Sequence, residues 1–518
     1  MTSVQPTPAR TVRALIELQA HKRPDEVYAL EAEGSQAIRF GELAVQCRQV
    51  AALLRQYGSQ PGDTVSLVMP NGLHTLRLLL GAMHGGWCVN PVNLLSSTEQ
   101  MRYVLDHSDC RVVLCSAERL PQVQVALQGI ERPVAVVVCE AEDTLAGLPL
   151  PADDTPPPEP DRLALLMYTS GTTGMPKGVM LTHANLAANA AAISAEHGLA
   201  PGDRVLAVLP LYHINAFAVT MLAPIAHGGS LAMPPKFSAA RFWQQAADCQ
   251  CTWINVVPTM ISYLLEGSAP EPDAIQRIRF CRSASAALPV EHLRAFEQKF
   301  GIGIIETMGL TETVAPSFSN PLEASKRKVG AVGRPSGCEA RVIDAKLQPV
   351  ADGATGEIAI RGPQVMQGYY KNPEATRAAF THDGWLRTGD LGHRDSDGFF
   401  FVTGRIKELI IKGGENIAPR EIDEALLRHP AVLDAACTGI ADRHYGQEIM
   451  ACVMLKQGHA ATVAELLAFC EERLGRYKTP KALHIVAELP RGPSGKVQRL
   501  KLVDWVKQAN EAVPAAMG

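Results

Sequence analysis

The 518 residues predict an α/β protein of more than one domain. Apolar, β-branched runs such as TVSLVM, CRVVLC and PVAVVVC alternate with stretches of helical period such as LAVQCRQVAALLRQYG. Alternation of that kind builds crossover units around largely parallel sheets. Between Gly330 and Phe401 the texture changes to short runs bounded by glycine, as in GEIAIRG and GFFFVTG, which predicts a β-rich subdomain. At roughly 150 residues per domain the length allows about three cores.

The elements follow in chain order. The start, MTSVQPTPARTVRALIEL, has no long apolar stretch of the kind that directs export, and Glu17 interrupts what hydrophobicity there is. PADDTPPPEP, residues 151–160, can continue neither a helix nor a central strand, so it is expected to be an exposed connector. The most apolar segment, Ala216 to Ala226, contains Thr220 and Pro224 and falls far short of the ~20 residues that span a bilayer. It reads as a core element, and stable membrane insertion is not expected.

A formal net charge of −4 leaves no basic field to attract nucleic acid, which is excluded as a partner on that ground. The twelve cysteines form no CxxC pair that would suggest zinc or a redox dithiol. They read as reduced thiols of a cytoplasmic protein. The final residues, AAMG, carry no peroxisomal address of the SKL type.

The most informative stretch is TSGTTGMPKG, residues 169–178, directly after the apolar run LALLMY. Three glycines keep the backbone accessible, Thr169, Ser170, Thr172 and Thr173 offer hydroxyls, and Lys177 supplies positive charge. Such a loop suits a polyphosphate. It is not a Walker A loop, because Met175 and Pro176 separate Gly174 from the lysine.

The stretch resembles the phosphate-binding signature of the adenylate-forming superfamily, which contains acyl-CoA synthetases, firefly-type luciferases and peptide-synthetase adenylation domains. Further segments fit the same family in the same order. The resemblance implies a large N-terminal domain of stacked α/β sheets with a β-rich subdomain, residues 1–404. A small mobile C-terminal α+β domain, residues 405–518, follows it, with the hinge at Lys407. No linker composition marks that boundary, which rests on the resemblance alone.

It also implies the site. Thr169, Ser170, Gly171, Thr172, Thr173, Gly174 and Lys177 would hold ATP phosphates. ETMGLTET, with Glu306, Thr307, Met308 and Gly309 beside the adenine, would bring Thr311 to a phosphate and Glu312 to Mg2+. The position of Met308 is usually aromatic in the family, so adenine stacking here would fall to a thioether. Ser285 and Ala286 in SASAALP occupy the adenine-flanking loop, where glycines are commoner than Ala284 and Ser285. Asp390 in WLRTGDLG and Arg405 in TGRIKE would bind the ribose. Lys496 in LPRGPSGKVQR would offset charge as the carboxylate attacks the α-phosphorus.

For the acid, LPLYHINAFAVTML offers Tyr212, His213, Asn215, Ala216 and Phe217, with His213 as a gate to the thiol side. Nearby alanines suggest room for a medium-chain or aromatic group, and Arg282 could instead reach a second carboxylate; the sequence does not choose. KGGEN resembles acyl-CoA synthetases more than amino-acid-activating domains, and Lys412, Gly413 and Gly414 would line the pantetheine path of coenzyme A. Tyr445 and Tyr477 are candidates for the CoA adenine, Lys478 and Lys481 for its phosphates. The expected activity is AMP-forming acid–CoA ligation. Loading of a carrier protein or an amine is the alternative, a luciferase-like oxygenase is a third reading, and a homodimer is the common assembly.

Overall fold

A computed structural model describes residues 9–145, 155–169, 175–492 and 496–511. The chain forms two large sheets, a four-stranded sheet and a separate C-terminal sheet. In the seven-stranded sheet, Thr64–Val68 pairs in parallel with Cys88–Pro91 and Cys110–Cys115. In the nine-stranded sheet, Trp253–Val256, Phe280–Ser283 and Ile304–Met308 are successive parallel neighbours. The crossover expectation is met by both.

The two sheets share one core, and the helix His183–Glu196 (HANLAANAAAISAE) shows how the sequence allows it. Its alanines let backbones approach closely while Leu186 and Ile193 fill the gaps. Thr182 and Asn185 cap its first turn reciprocally, fixing where the preceding strand ends. The apolar run after His213 forms a π-helix, Asn215–Leu222, every residue of which is buried. Among the described residues no helix is long and apolar enough to cross a membrane.

The β-rich subdomain is an antiparallel sheet of Glu339–Ile343, Gly356–Arg361, Leu386–Arg394 and Phe400–Arg405. Its last strand therefore runs past Phe401 to Arg405. Beyond it, Ile410–Lys412, Glu415–Ile417, Val432–Asp442, Gly446–Leu455 and Ala482–Ile485 form a sheet covered by the helices Pro419–Leu427 and Val463–Lys478. This unit has its own core around Ile410, Ile422, Leu426 and Val453.

The proline-rich connector is exposed as expected at Pro156, Pro157 and Glu159 but not at Thr155 and Pro158. Thr155 is buried, its carbonyl accepting from Arg13 Nη1 at 2.7 Å and its hydroxyl from Arg55. A polar residue among prolines found two arginine donors, and burial followed. Residues 151–154 lie outside the described residues.

Candidate functional site

Two of the phosphate-loop candidates, Thr169 and Lys177, sit at the end of a strand pair. Leu163–Thr169 and Lys177–Thr182 pair antiparallel with Thr169 opposite Lys177, so the loop leaves and returns at one point. Ser170, Gly171, Thr172, Thr173 and Gly174 lie outside the described residues. Both flanking strands are apolar and mostly buried, which anchors the loop's ends.

The chain beyond this hairpin ties it to the second signature. Gly368–Tyr369 adds to the edge of the strand Lys177–Thr182, with Tyr370 N donating to Gly178 O at 2.8 Å. Two residues before Gly368, Met366 N donates to Glu312 O at 2.8 Å. Tyr369 then bridges both sides: its hydroxyl donates to Glu312 Oε1 at 2.8 Å, and Lys177 Nζ stands 4.8 Å above its ring. The sequence reading missed Tyr369. The aromatic pair after Gly368 was a visible signal, but nothing local to it marked a partner 57 residues away.

A cleft between the large and small domains is lined by Ser285, Ala286, Glu306, Thr307, Met308, Gly309, Asp390, Arg405 and Lys496. These nine sequence candidates, spread over 212 residue numbers, converge there. Gly309 is required by space: a Cβ would lie 2.7 Å from Ala315 Cα. Ser285 holds φ of +76°, a region costly for a side chain, which explains why glycine suits that loop better. Met308 lines the cleft and packs against the cluster of Phe318, Val332 and Phe400.

Asp390 is buried and faces Arg405 across the strand pair, with Nε 2.6 Å from Oδ1. Glu306 is buried, and no side chain among the described residues hydrogen-bonds its carboxylate, the backbone of Leu288 being the group near enough to favour its charged form. Burial pushes its pKa up to about 7, against the pull of Arg420. Lys496 sits where the chain turns back on itself, Gly492 N donating to Lys496 O at 2.7 Å. Burial, then Arg405, lowers its pKa, while Glu408 and Asp390 oppose the shift. Glu408 and Arg499 also line the cleft and were not foreseen, since each reads as an ordinary surface charge in sequence.

The acid-pocket candidates lie one layer deeper. Ala216 and Phe217 are wholly buried, and Tyr212 packs against His213 with ring centroids 4.7 Å apart. Asn215 Nδ2 reaches Ser285 Oγ at 3.4 Å, which joins this layer to the cleft wall. Behind it Arg282 is fully buried, its Nη1 donating to Asn215 Oδ1 and Asn255 Oδ1, each at 2.7 Å.

The CoA candidates gather on the small domain. Lys412 is buried, paired with Glu448 at 2.9 Å, and lies over the rings of Tyr445 and Tyr477. Tyr477 donates its hydroxyl to Lys412 O. Lys478 and Lys481 are paired with Glu421 and Asp442, each at 2.7 Å. Lys407 is exposed in the short turn Ile406–Glu408.

Residues 16–370 match the family model of the AMP-binding enzymes, and residues 421–496 match that of the AMP-binding enzyme C-terminal domain. The chain is 56% identical to the sulfoacetate–CoA ligase of Cupriavidus necator, over 95% of this chain and 97% of that one. It is 35% identical to the oxalate–CoA ligase of Arabidopsis thaliana, over 94% and 97%. Among solved structures, ATP-bound MatB from Rhodopseudomonas palustris superposes with a TM-score of 0.89 at 29% identity, over 96% of this chain and 99% of that one.

Proposed function

Because the chain belongs to the AMP-binding enzymes, we propose that its inter-domain cleft runs a two-step ligation, assigned here to individual residues. The protein is an AMP-forming acid–CoA ligase. In the first step the acid's carboxylate oxygen bonds to the α-phosphorus of ATP and the bond to pyrophosphate breaks. In the second, the CoA thiol attacks the acyl carbon, the bond to AMP breaks, and the thiol proton passes to solvent.

Lys496 is assigned to the first step. Positive charge fixed in a partly desolvated cleft stabilises the charge that grows on the phosphoryl oxygens more than water would. Asp390 and Arg405 are assigned to the ribose hydroxyls, Thr307 to Gly309 and Ser285 to the adenine side, and Thr169, Lys177 and Thr311 to the phosphates. Ser170 to Gly174 complete the phosphate loop in this reading.

Glu312 suits a magnesium ion in its donor chemistry, since Tyr369 engages one of its carboxylate oxygens and the other remains for a hard cation. Among the described residues no cluster of three His, Cys, Asp or Glu side chains could hold a metal. Glu312 would therefore act together with phosphate oxygens and water, and a bound magnesium ion would supply neutralisation of phosphate charge.

For the second step the C-terminal domain, residues 405–518, is proposed to turn about Lys407. Lys496 would leave the cleft, and the Lys412 to Gly414 stretch would border the thiol's path past His213. Tyr445, Tyr477, Lys478 and Lys481 would meet CoA only after releasing Lys412, Glu421 and Asp442, partners that belong to the same domain and travel with it in that rotation. A cytoplasmic setting and a homodimer belong to the same reading.

The acid is proposed to be short and to carry a second anionic group. Two relatives are named for sulfoacetate and oxalate, which share that property. The wall behind Ser285 is polar here, made by Asn215, Asn255 and Arg282, where a medium-chain or aromatic tail would need apolar surface.

The observation that supports the whole reading most is the convergence of Lys496 from the small domain on Asp390 and Glu306 from the large one, with Arg405 at the boundary between them. The test is ATP–pyrophosphate exchange with labelled pyrophosphate over a panel of short acids, followed by AMP release with and without CoA. Exchange with one or more acids and CoA-dependent turnover are expected. Absence of exchange with every acid, or turnover indifferent to CoA, would overturn it.

A further inference from the structure

We propose that Arg282 selects the acid by presenting one edge of its guanidinium to the anionic group farthest from the reacting carboxylate. This rests on the ligase reading above and adds the receptor for the far end of the substrate.

Arg282 lies in the strand Phe280–Ser283, in the interior of the nine-stranded sheet, with no exposed surface. Its Nη1 is spent on Asn215 and Asn255. Nε and Nη2 have no hydrogen-bond partner among the described residues. That edge carries two parallel N–H donors, the arrangement that takes a carboxylate or sulfonate in two hydrogen bonds at once.

The charge is also uncompensated. Burial lowers the arginine's pKa to about 9, and no carboxylate figures among the influences that raise it. A buried cation left without a counter-charge is expensive to maintain, so a fold that keeps one has a use for it. The two asparagines that hold Nη1 offer amide oxygens, which orient the fork without neutralising it.

The position fits the reaction. Ser285 lines the cleft that contains Lys496, Asn215 contacts Ser285, and Arg282 contacts Asn215. An acid with its reacting carboxylate in the cleft has Asn215 and then Arg282 behind the Ser285 wall, and in the proposal its other end reaches past that wall to the unpaired edge.

The test compares two acids of nearly equal size, sulfoacetate and methylsulfonylacetate, which differ in the charge of the distal group. kcat/KM for adenylation by the unaltered enzyme is expected to favour the charged acid by at least about a hundredfold, in line with sites whose buried polar groups go unpaired with the wrong substrate. In Arg282→Met that preference is expected to collapse to within about threefold, through loss of the charged acid alone, and Arg282→Lys should recover part of it. No preference in the unaltered enzyme would overturn the proposal without needing any variant. So would a variant that loses both acids in equal proportion. Failure of the ligase reading itself is distinct, because then no acid would support pyrophosphate exchange.

Discussion

Arg405 donates Nε to Asp390 Oδ1 at 2.6 Å, and Nη2 lies 3.4 Å from Oδ2, between facing positions of two antiparallel strands. The aspartate's orientation is thus set before nucleotide arrives, with lone pairs left to accept ribose hydroxyls. Asp390→Asn keeps the shape and removes the charge that holds Arg405. We expect kcat/KM for ATP to fall about 10- to 100-fold, chiefly through KM, as read by pyrophosphate exchange at varied ATP.

Lys496→Ala should separate the two half-reactions. Loss of one pre-positioned charge in a desolvated cleft costs about 10²- to 10³-fold. That loss is expected in adenylate formation, whereas conversion of a supplied acyl-adenylate to the thioester should change less than about threefold. Equal loss in both steps would contradict the assignment.

Tyr369→Phe removes one hydroxyl and leaves the ring beneath Lys177 in place. Glu312 then loses the donor that orients its carboxylate, a hydrogen bond to a charged group worth about 1.5–3 kcal/mol in general. The apparent magnesium requirement should rise about 3- to 10-fold with little change at saturating metal, measured by titrating magnesium at fixed ATP. An unchanged requirement would separate Tyr369 from metal binding.

Much of this site was legible in the sequence because each signature is short and local. TGD and TGR mark Asp390 and Arg405, and a glycine-flanked turn marks Lys496, which the structure brings to one cleft. The parallel sheets were legible from the alternation of apolar runs with helical period. Partners contributed by distant segments were not. Tyr369 meets Glu312 only because an edge strand returns to the hairpin, and although Arg282 stood out in sequence as a candidate for a second carboxylate, its asparagine partners and its unpaired edge did not. The connector at Thr155 misled for the same reason, since its arginine partners are 142 and 100 residues away.

Glu306 gives a pH prediction. Its pKa rises from 4.5 to about 7 on folding, so the folded form holds the proton more tightly than the unfolded chain. Its contribution to stability is fully present below pH 4.5 and is lost as the pH rises through 7. The loss is at most about 3 kcal/mol at 1.36 kcal/mol per pKa unit. Glu306→Gln should therefore gain on the parent as pH rises from 5 to 8, read as a widening difference in melting temperature. A constant difference across that range would refute the shift.

Gly413→Ala should impair the second step selectively. Gly413 has φ of +56°, and a Cβ there would lie 3.1 Å from Tyr477 Oη and 3.3 Å from Tyr445 Cδ1. Strain of about 1–2 kcal/mol and the displaced tyrosines would slow thioester formation about tenfold. Pyrophosphate exchange should stay within about twofold of the parent, because Lys496 reaches the cleft from a different turn.

The segment Met366–Tyr370 is stitched on one side to Met180 and Gly178 and on the other to Glu312. The two large sheets therefore cannot slide along their seam without straining the contacts between the strand Lys177–Thr182 and Glu312, the two sides to which the proposed function assigns the triphosphate and its magnesium. Nucleotide affinity becomes a strain gauge for that seam. Damage to packing far from the cleft would show first as weakened ATP binding, while the bulk of the molecule still stood folded.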